Sequence, residues 1–252
     1  MEQVNVSWYV EDVSAHSSPV VIAGLPGVGH VGKLVVDHLV HVLSAVKVAE
    51  ITSTLFPPQM YLSEEAVLRM PRNELFFVAG FEDSPSVLLL AGDCQSTMPE
   101  GHYTMGDAYI RIFEILGVKR IYTLGGYGVG RMVDKPRVLA ALSSTKLKDE
   151  VLASGAVLNK DEPVGGIIGA VGLLITLGRL AGMEGIALLG ETSGYLVDPV
   201  SSTAVLDVLE KLIGIKADRT ELAELADQMM TQVSALASTI QRNNADDLSY
   251  IG

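Results

Sequence analysis

The sequence contains a single cysteine, Cys94, among 252 residues. One thiol cannot form a disulfide within its own chain, which excludes a disulfide-stapled fold and fits a reducing compartment. Basic residues are also few, since 18 Lys and Arg stand against 30 Asp and Glu and give a formal net charge of −12. Because this charge repels phosphate backbones and no cluster of basic residues offsets it, we expect no nucleic-acid partner.

The sequence also shows no apolar segment that we expect to span a membrane and no segment that we expect to act as an export signal. The glycine-rich apolar run from Pro163 to Gly178 is shorter than the roughly 20 residues that cross a bilayer. The opening residues, MEQVNVSWYVEDV, are acidic and lack the basic start and apolar stretch of a signal peptide. We therefore expect a cytoplasmic protein with no membrane contact.

Apolar residues are abundant, at 48% of the chain with a mean hydropathy of +0.35. Such content fits a sheet that is covered on both faces and a subunit interface, so we expect a homo-oligomer. Strands are predicted at Val4–Tyr9, Val20–Leu25, Val46–Glu50, Glu74–Ala79, Val87–Ala91, Arg120–Leu124 and Gly185–Leu189, with a strand meander between Ser53 and Phe81. Helices are predicted at Val31–Leu43, Gly106–Leu116, Arg137–Leu142, Ala170–Leu180 and Ser201–Ile213. This alternation predicts a three-layer α/β fold, with a mostly parallel mixed sheet and helices on both faces.

The character of the chain changes near its C-terminus. We divide it into an α/β core domain at 1–217, an amphipathic helix at 218–242 and a flexible tail at 243–252. Asp218 is placed as the helix N-cap, with Glu221 at capping-box spacing. An apolar seam on this helix packs on its own domain or on a neighbouring subunit. The seam residues are Leu222, Ala226, Met229, Val233, Leu236 and Ile240.

The most informative stretch is VVIAGLPGVGHVGKL, residues 20–34, where an apolar strand meets a glycine turn. The turn fits G-x-G-x-x-G through Gly27, Gly29 and Gly32, and it also fits G-x-x-x-x-G-K up to Lys33. However, Leu34 replaces the Ser or Thr that holds magnesium in nucleotide-binding loops. Three interpretations stay open: a tight packing turn, an anion or small-molecule site, and nucleotide chemistry.

Four strand ends carry similar junctions, and parallel strands bring such ends to one edge of a sheet. Any pocket there is predicted to be lined by Gly27, Gly29, Gly32, Asp93, Gln95, Gly126, Tyr127, Glu191 and Thr192. No catalytic residue, cofactor or metal is assigned. His38 and His41, one helical turn apart, could begin a metal site but are better explained as solvated or capped histidines.

The turn is followed by ITSTLFPPQ, AGDCQ, GVKRIYTLGGYGVG and GETSGY, and in this order the segments resemble the proteasome assembly chaperone 2 family, in particular its archaeal-type single-chain members. The resemblance implies a fold similar to purine nucleoside phosphorylases, self-association, a link to the 20S proteasome and no established reaction. Some relatives carry an ATP-grasp ligase label, which these motifs support little. The alternative is an enzyme or sensor for a small nucleoside-like or phosphorylated ligand at the strand ends.

The last ten residues, NNADDLSYIG, form a polar spacer that ends in apolar groups. Proteasome activators and chaperones use tails of the pattern hydrophobic, Tyr, any residue. Here Tyr250 is third from the end, with Ile251 interposed. We therefore expect either that the tail binds a partner or that it folds back on its own subunit. The candidate partner-binding residues are Leu248, Tyr250, Ile251 and Gly252.

Overall fold

The computed structural model describes residues 3–10, 19–80, 84–228 and 231. The strands are β1 (Val4–Trp8), β2 (Val20–Ala23), β3 (Val46–Ser53), β4 (Tyr61–Leu62), β5 (Leu68–Arg69), β6 (Arg72–Val78), β7 (Val87–Gly92), β8 (Arg120–Gly128), β9 (Val138–Leu142) and β10 (Glu184–Thr192). The helices are α1 (Val31–Val42), α2 (Pro99–Ile115), α3 (Lys148–Ala153), α4 (Ala170–Leu180) and α5 (Pro199–Ile213). A further helical segment covers 220–228.

Eight of these strands form one sheet in the order β1-β3-β6-β7-β2-β8-β10-β9. The central strands β7, β2, β8 and β10 are parallel, whereas β6 and β9 run against their central neighbours. The short β4–β5 hairpin and the antiparallel β6 fill the region between β3 and β7, so the predicted meander is confirmed. The predicted mixed, mostly parallel sheet is also confirmed.

Both faces of the sheet are covered by helices, as predicted. Leu88 and Leu90 of β7 belong to the core beneath α2 and α4, while Leu89 between them belongs to the core beneath α1 and α5. All three side chains are fully buried. A strand that is buried on both faces reads as a continuous apolar run, which explains why this element could be recognised without alternation.

One predicted element is wrong. Residues Arg137–Leu142 were expected to form a helix, but Val138–Leu142 forms the strand β9, antiparallel to β10. Leu and Ala favour helix locally. The exposed edge of β10 offers backbone hydrogen bonds and a site for the buried side chains of Val138 and Leu139, and this tertiary gain outweighs the local preference.

The helical segment at 220–228 begins against α1 and α5. The Asp218 carboxylate accepts a hydrogen bond from the Thr220 N–H at 2.8 Å, as a capping residue does. His38 is buried rather than solvated, and its Nε2 lies 2.6 Å from the Asp218 carbonyl oxygen. Leu222, the first seam residue, is buried in the layer of α1 and α5. The seam residues Met229, Val233, Leu236 and Ile240, and the tail at 243–252, lie outside the described residues.

Within the described part of the chain, no helix combines the length and apolar character needed to cross a bilayer. The same residues contain no group of three or more His, Cys, Asp or Glu side chains that could hold a metal ion.

Candidate functional site

The glycine turn connects β2 to α1 and is packed tightly from both sides. A Cβ atom added to Gly24 would lie 2.0 Å from the carbonyl oxygen of Gly32, and one added to Gly32 would lie 2.0 Å from the carbonyl oxygen of Leu124. No side chain fits at such distances, so both positions require glycine for close helix–strand packing. Of the three interpretations of the turn, this geometry supports packing.

The space beside Gly29 and Gly126, where a ligand at the turn would lie, is also occupied by protein atoms. Gly29 has a φ of 62°, and a Cβ there would lie 2.7 Å from Thr192 Oγ1. A Cβ at Gly126 would lie 2.2 Å from the carbonyl oxygen of Val28. The Lys33 side chain contacts protein groups. Its Nζ lies 2.7 Å from the Asp37 carboxylate and donates a hydrogen bond to the Gly92 carbonyl at 3.1 Å. The lysine of the nucleotide signature is therefore engaged within the domain.

A cavity of about 520 Å³ lies at the carboxyl ends of the strands, beneath the loop 163–169. Of the predicted pocket residues it is lined by Gly27, Gly32, Gln95, Gly126 and Tyr127. The remaining lining is largely aliphatic and comes from Leu25, Val28, Val164, Ile167, Ile168, Val171 and Leu189, with His102 at one side. The Gln95 amide is satisfied on both ends, because it donates to the Pro26 carbonyl at 2.7 Å and accepts from the Ala170 N–H at 2.9 Å.

The predicted carboxylate Asp93 does not line this cavity and forms an ion pair with Arg69. It accepts hydrogen bonds from the Arg69 guanidinium at 2.5 and 3.1 Å and from the Arg72 N–H at 3.0 Å. Burial by itself would raise the pKa of Asp93, but these hydrogen bonds outweigh it and hold the pKa below its ordinary value. Asp93 is thus held ionised against Arg69 and is not placed to exchange protons with a ligand.

Glu191 is likewise held in an ion pair. It is only 4% exposed, and its carboxylate accepts from the Arg137 guanidinium at 2.5 Å and from the Arg137 backbone N–H at 3.0 Å. These hydrogen bonds hold the pKa of Glu191 below its ordinary value. Arg137 also pairs with Glu162 at 3.2 Å, and Asn159 donates to the same carboxylate at 2.8 Å. This network ties the segment that leads into loop 163–169 to the end of β10.

Changing Glu191 to Gln should lower the free energy of unfolding by about 1–3 kcal/mol at neutral pH, because Arg137 loses its buried partner charge. The pKa of Glu191 lies below its ordinary value of 4.5 in the folded protein. The ionised Glu191 carboxylate therefore makes its full contribution to the free energy of unfolding above pH 4.5. This contribution is lost as the pH falls through the lowered pKa. Urea unfolding of both proteins at neutral and acid pH should show the difference shrinking in acid. Glu224→Gln, at an exposed carboxylate, is the control, and an equal loss in both variants would contradict the role of the ion pair.

Cys94 has the properties of a small buried side chain. Burial, and to a smaller degree the charge of Asp93, raises the pKa of its thiol to about 11. The thiol is therefore protonated at neutral pH and is not activated as a nucleophile. The candidate tail residues Leu248, Tyr250, Ile251 and Gly252 lie outside the described residues.

Fold and site together define an α/β protein whose glycine-rich strand ends serve helix–sheet packing around an apolar cavity. The PAC2 family model matches residues 21–237, and the chain belongs to the PAC2 family. This confirms the resemblance to the proteasome assembly chaperone 2 family. An uncharacterised protein of Methanocaldococcus jannaschii is 32% identical over 96% of each chain.

Two solved structures from Pyrococcus furiosus are similar over nearly the full chain. PbaB, described as an archaeal proteasome activator, has a TM-score of 0.88 and 33% identity, covering 94% of this chain and 100% of that one. PbaA, described as an archaeal homologue of proteasome-assembly chaperone, has a TM-score of 0.76 and 22% identity, covering 97% and 96%. The second likeness, at this identity, is evidence of a shared fold alone.

Proposed function

We propose that this protein is a non-enzymatic proteasome assembly chaperone or activator-like partner, which binds the 20S proteasome in the cytoplasm through an oligomer surface and its C-terminal tail. The observation that carries the proposal is the likeness to the proteasome activator PbaB, at 33% identity and a TM-score of 0.88 over the whole of that chain. The ion-paired state of Asp93 and Glu191 supports a binding role over a catalytic one.

An apolar surface around α4 supports the oligomer part of the proposal. Ile168 is 90% exposed, Val164 82% and Leu180 79%, and Tyr103 of the neighbouring α2 is 64% exposed. We call this set the α4 surface. Patches of exposed apolar side chains mark interaction sites on soluble proteins. We assign the α4 surface to contacts with other protein chains, either further copies or proteasome subunits.

The tail supplies the second contact. The apolar residues Leu248, Tyr250 and Ile251 follow the mainly polar segment NNADD. A pocket on the partner would receive these apolar side chains.

The alternative function, an enzyme or sensor for a small nucleoside-like or phosphorylated ligand, is favoured by one observation. The cavity of about 520 Å³ lies within the range of roughly 300–1,000 Å³ typical of ligand sites. Its aliphatic lining favours an uncharged ligand over a phosphorylated one.

Cosedimentation with 20S core particles tests the proposed binding. The variant Lys33→Ala tests whether the protein instead hydrolyses a nucleotide. Leu34 stands where a magnesium-binding Ser or Thr would be needed, and Lys33 is paired with Asp37. Wild type and variant should therefore both release phosphate from ATP only at background rate, and both should sediment equally with the core particle. Magnesium-dependent turnover that disappears in the variant would favour the enzyme. Absence of the wild type from the core-particle fraction would contradict proteasome binding.

A further inference from the structure

Strand β1 ends the sheet, and no residue in the described ranges pairs with its outer edge. Its hydrogen bonds to β3 establish which residues point outward. Tyr9 N–H donates to the Val48 carbonyl at 3.0 Å, and Thr54 N–H donates to the Gln3 carbonyl at 3.2 Å. Bonding alternates along an antiparallel pair, so Val4, Val6 and Trp8 direct their N–H and C=O groups to the open edge.

Within residues 3–10, the edge strand lacks the residue types and bulges by which sheets usually prevent pairing. Residues 3–10, QVNVSWYV, include no charged residue, proline or glycine, and the register of β1 on β3 runs without a bulge. Edge strands are normally protected by such residues or by bulges. On a chain with a formal charge of −12, an uncharged strand is also a place where two copies approach with little repulsion.

The opposite edge of the sheet is partly blocked. The Ala140 N–H of β9 donates to the Val157 carbonyl at 2.9 Å, and the Val157 N–H donates to the Val138 carbonyl at 2.8 Å. A second copy therefore cannot add its β1 along β9 without displacing this segment. The contact left open is β1 against β1, which is two-fold symmetric and closes after two copies.

We propose that two copies of this chain pair antiparallel through β1, with Val6 of one copy opposite Val6 of the other and Val4 opposite Trp8. In this register the outward groups of all three residues find partners, in about six hydrogen bonds across the two-fold axis. The two eight-stranded sheets become one continuous sheet. The inference rests on the self-association in the proposed function and adds to the α4 surface a second contact between copies.

The side chains fit the same register. Val4 and Val6 already pack against the core beneath α2 and α4, whereas Trp8 is 43% exposed on the same face of the strand. Pairing places Trp8 beside Val4 of the other copy, and an aromatic side chain next to a β-branched one is a favourable cross-strand pair. Trp8 is the single tryptophan of the chain, so all tryptophan fluorescence of the protein comes from this position.

Val6→Pro tests the pairing, since the lost N–H points away from β3 and the β1–β3 bonds are retained. Two central bonds disappear per pair, and the dissociation constant of the β1 contact should rise on the order of 30-fold. Val6→Thr keeps the N–H and is the control. Sedimentation velocity over a dilution series should show the proline variant dissociating where both other proteins stay paired, with faster hydrogen exchange at the amides of Val4 and Trp8.

Trp8→Lys gives an independent test, because it changes an exposed side chain and adds a charge beside Val4 of the other copy. It should weaken pairing while the circular dichroism spectrum stays native, and dilution of the wild type should shift Trp8 emission to the red. If the mass profiles of both variants match the wild type, β1 pairing is contradicted. Neither measurement involves the proteasome, so this failure would leave 20S binding standing, and failure of 20S binding would leave pairing intact.

Discussion

Replacing Gly32 with alanine is expected to lower the free energy of unfolding by more than about 4 kcal/mol, which is a large part of the stability of a typical domain. The added Cβ would lie 2.0 Å from the Leu124 carbonyl oxygen and 2.5 Å from its carbon. Both are backbone atoms of the central strand β8, so neither can move aside as a flexible side chain would. Soluble yield and urea unfolding measure the loss.

Gly27→Ala is the matched control in the same turn. Its φ of −164° is extended backbone that any residue adopts, and the nearest atom to an added Cβ is 3.9 Å away. The change should alter the free energy of unfolding by less than about 0.5 kcal/mol. If both variants are equally stable, the packing explanation of the glycine motif is wrong and a ligand-binding role for these glycines gains support.

Ending the chain at Asp247 is expected to reduce the apparent affinity for the 20S core particle by at least about 100-fold. Each apolar anchor contributes on the order of 1–3 kcal/mol, and an oligomer loses all of its tails together. The melting temperature should stay unchanged, because the removed residues bind the partner in this account. Surface plasmon resonance and thermal unfolding measure the two quantities.

Tyr250→Ala should reproduce most of the loss, whereas Ser249→Ala should bind like the wild type, since a serine offers no comparable apolar anchor. Unchanged binding by the truncated chain would remove the tail from the mechanism. A large fall in melting temperature would show instead that the tail packs within its own oligomer.

The sequence allowed the centre of the fold to be predicted. Helix α4 was predicted with the bounds that it has, Ala170–Leu180, because its apolar period is strong and a glycine stands before it. Strand β7 was found because it is buried on both faces. Strand β9 was missed, because an edge strand of Leu and Ala is extended only through its pairing with β10. Nothing in the local sequence of β9 indicates that pairing.

The position of the cavity could be predicted from the sequence, but the ion pairs of the candidate residues could not. The rule that ligands sit at the carboxyl ends of parallel strands located the cavity. It could not show that Asp93 is paired with Arg69, 24 residues away, or that Glu191 is paired with Arg137, 54 residues away. The choice between packing and binding at the glycine turn needed the backbone of Leu124 and the side chain of Thr192, which only the tertiary structure places there.

Native mass spectrometry, of the protein alone and with 20S core particles, tests the central claim most directly. We predict a mass that is a multiple of the 26.8 kDa chain at micromolar concentration, and a second species in which that oligomer is bound to the core particle. A monomer of 26.8 kDa that forms no complex with the core particle would contradict it.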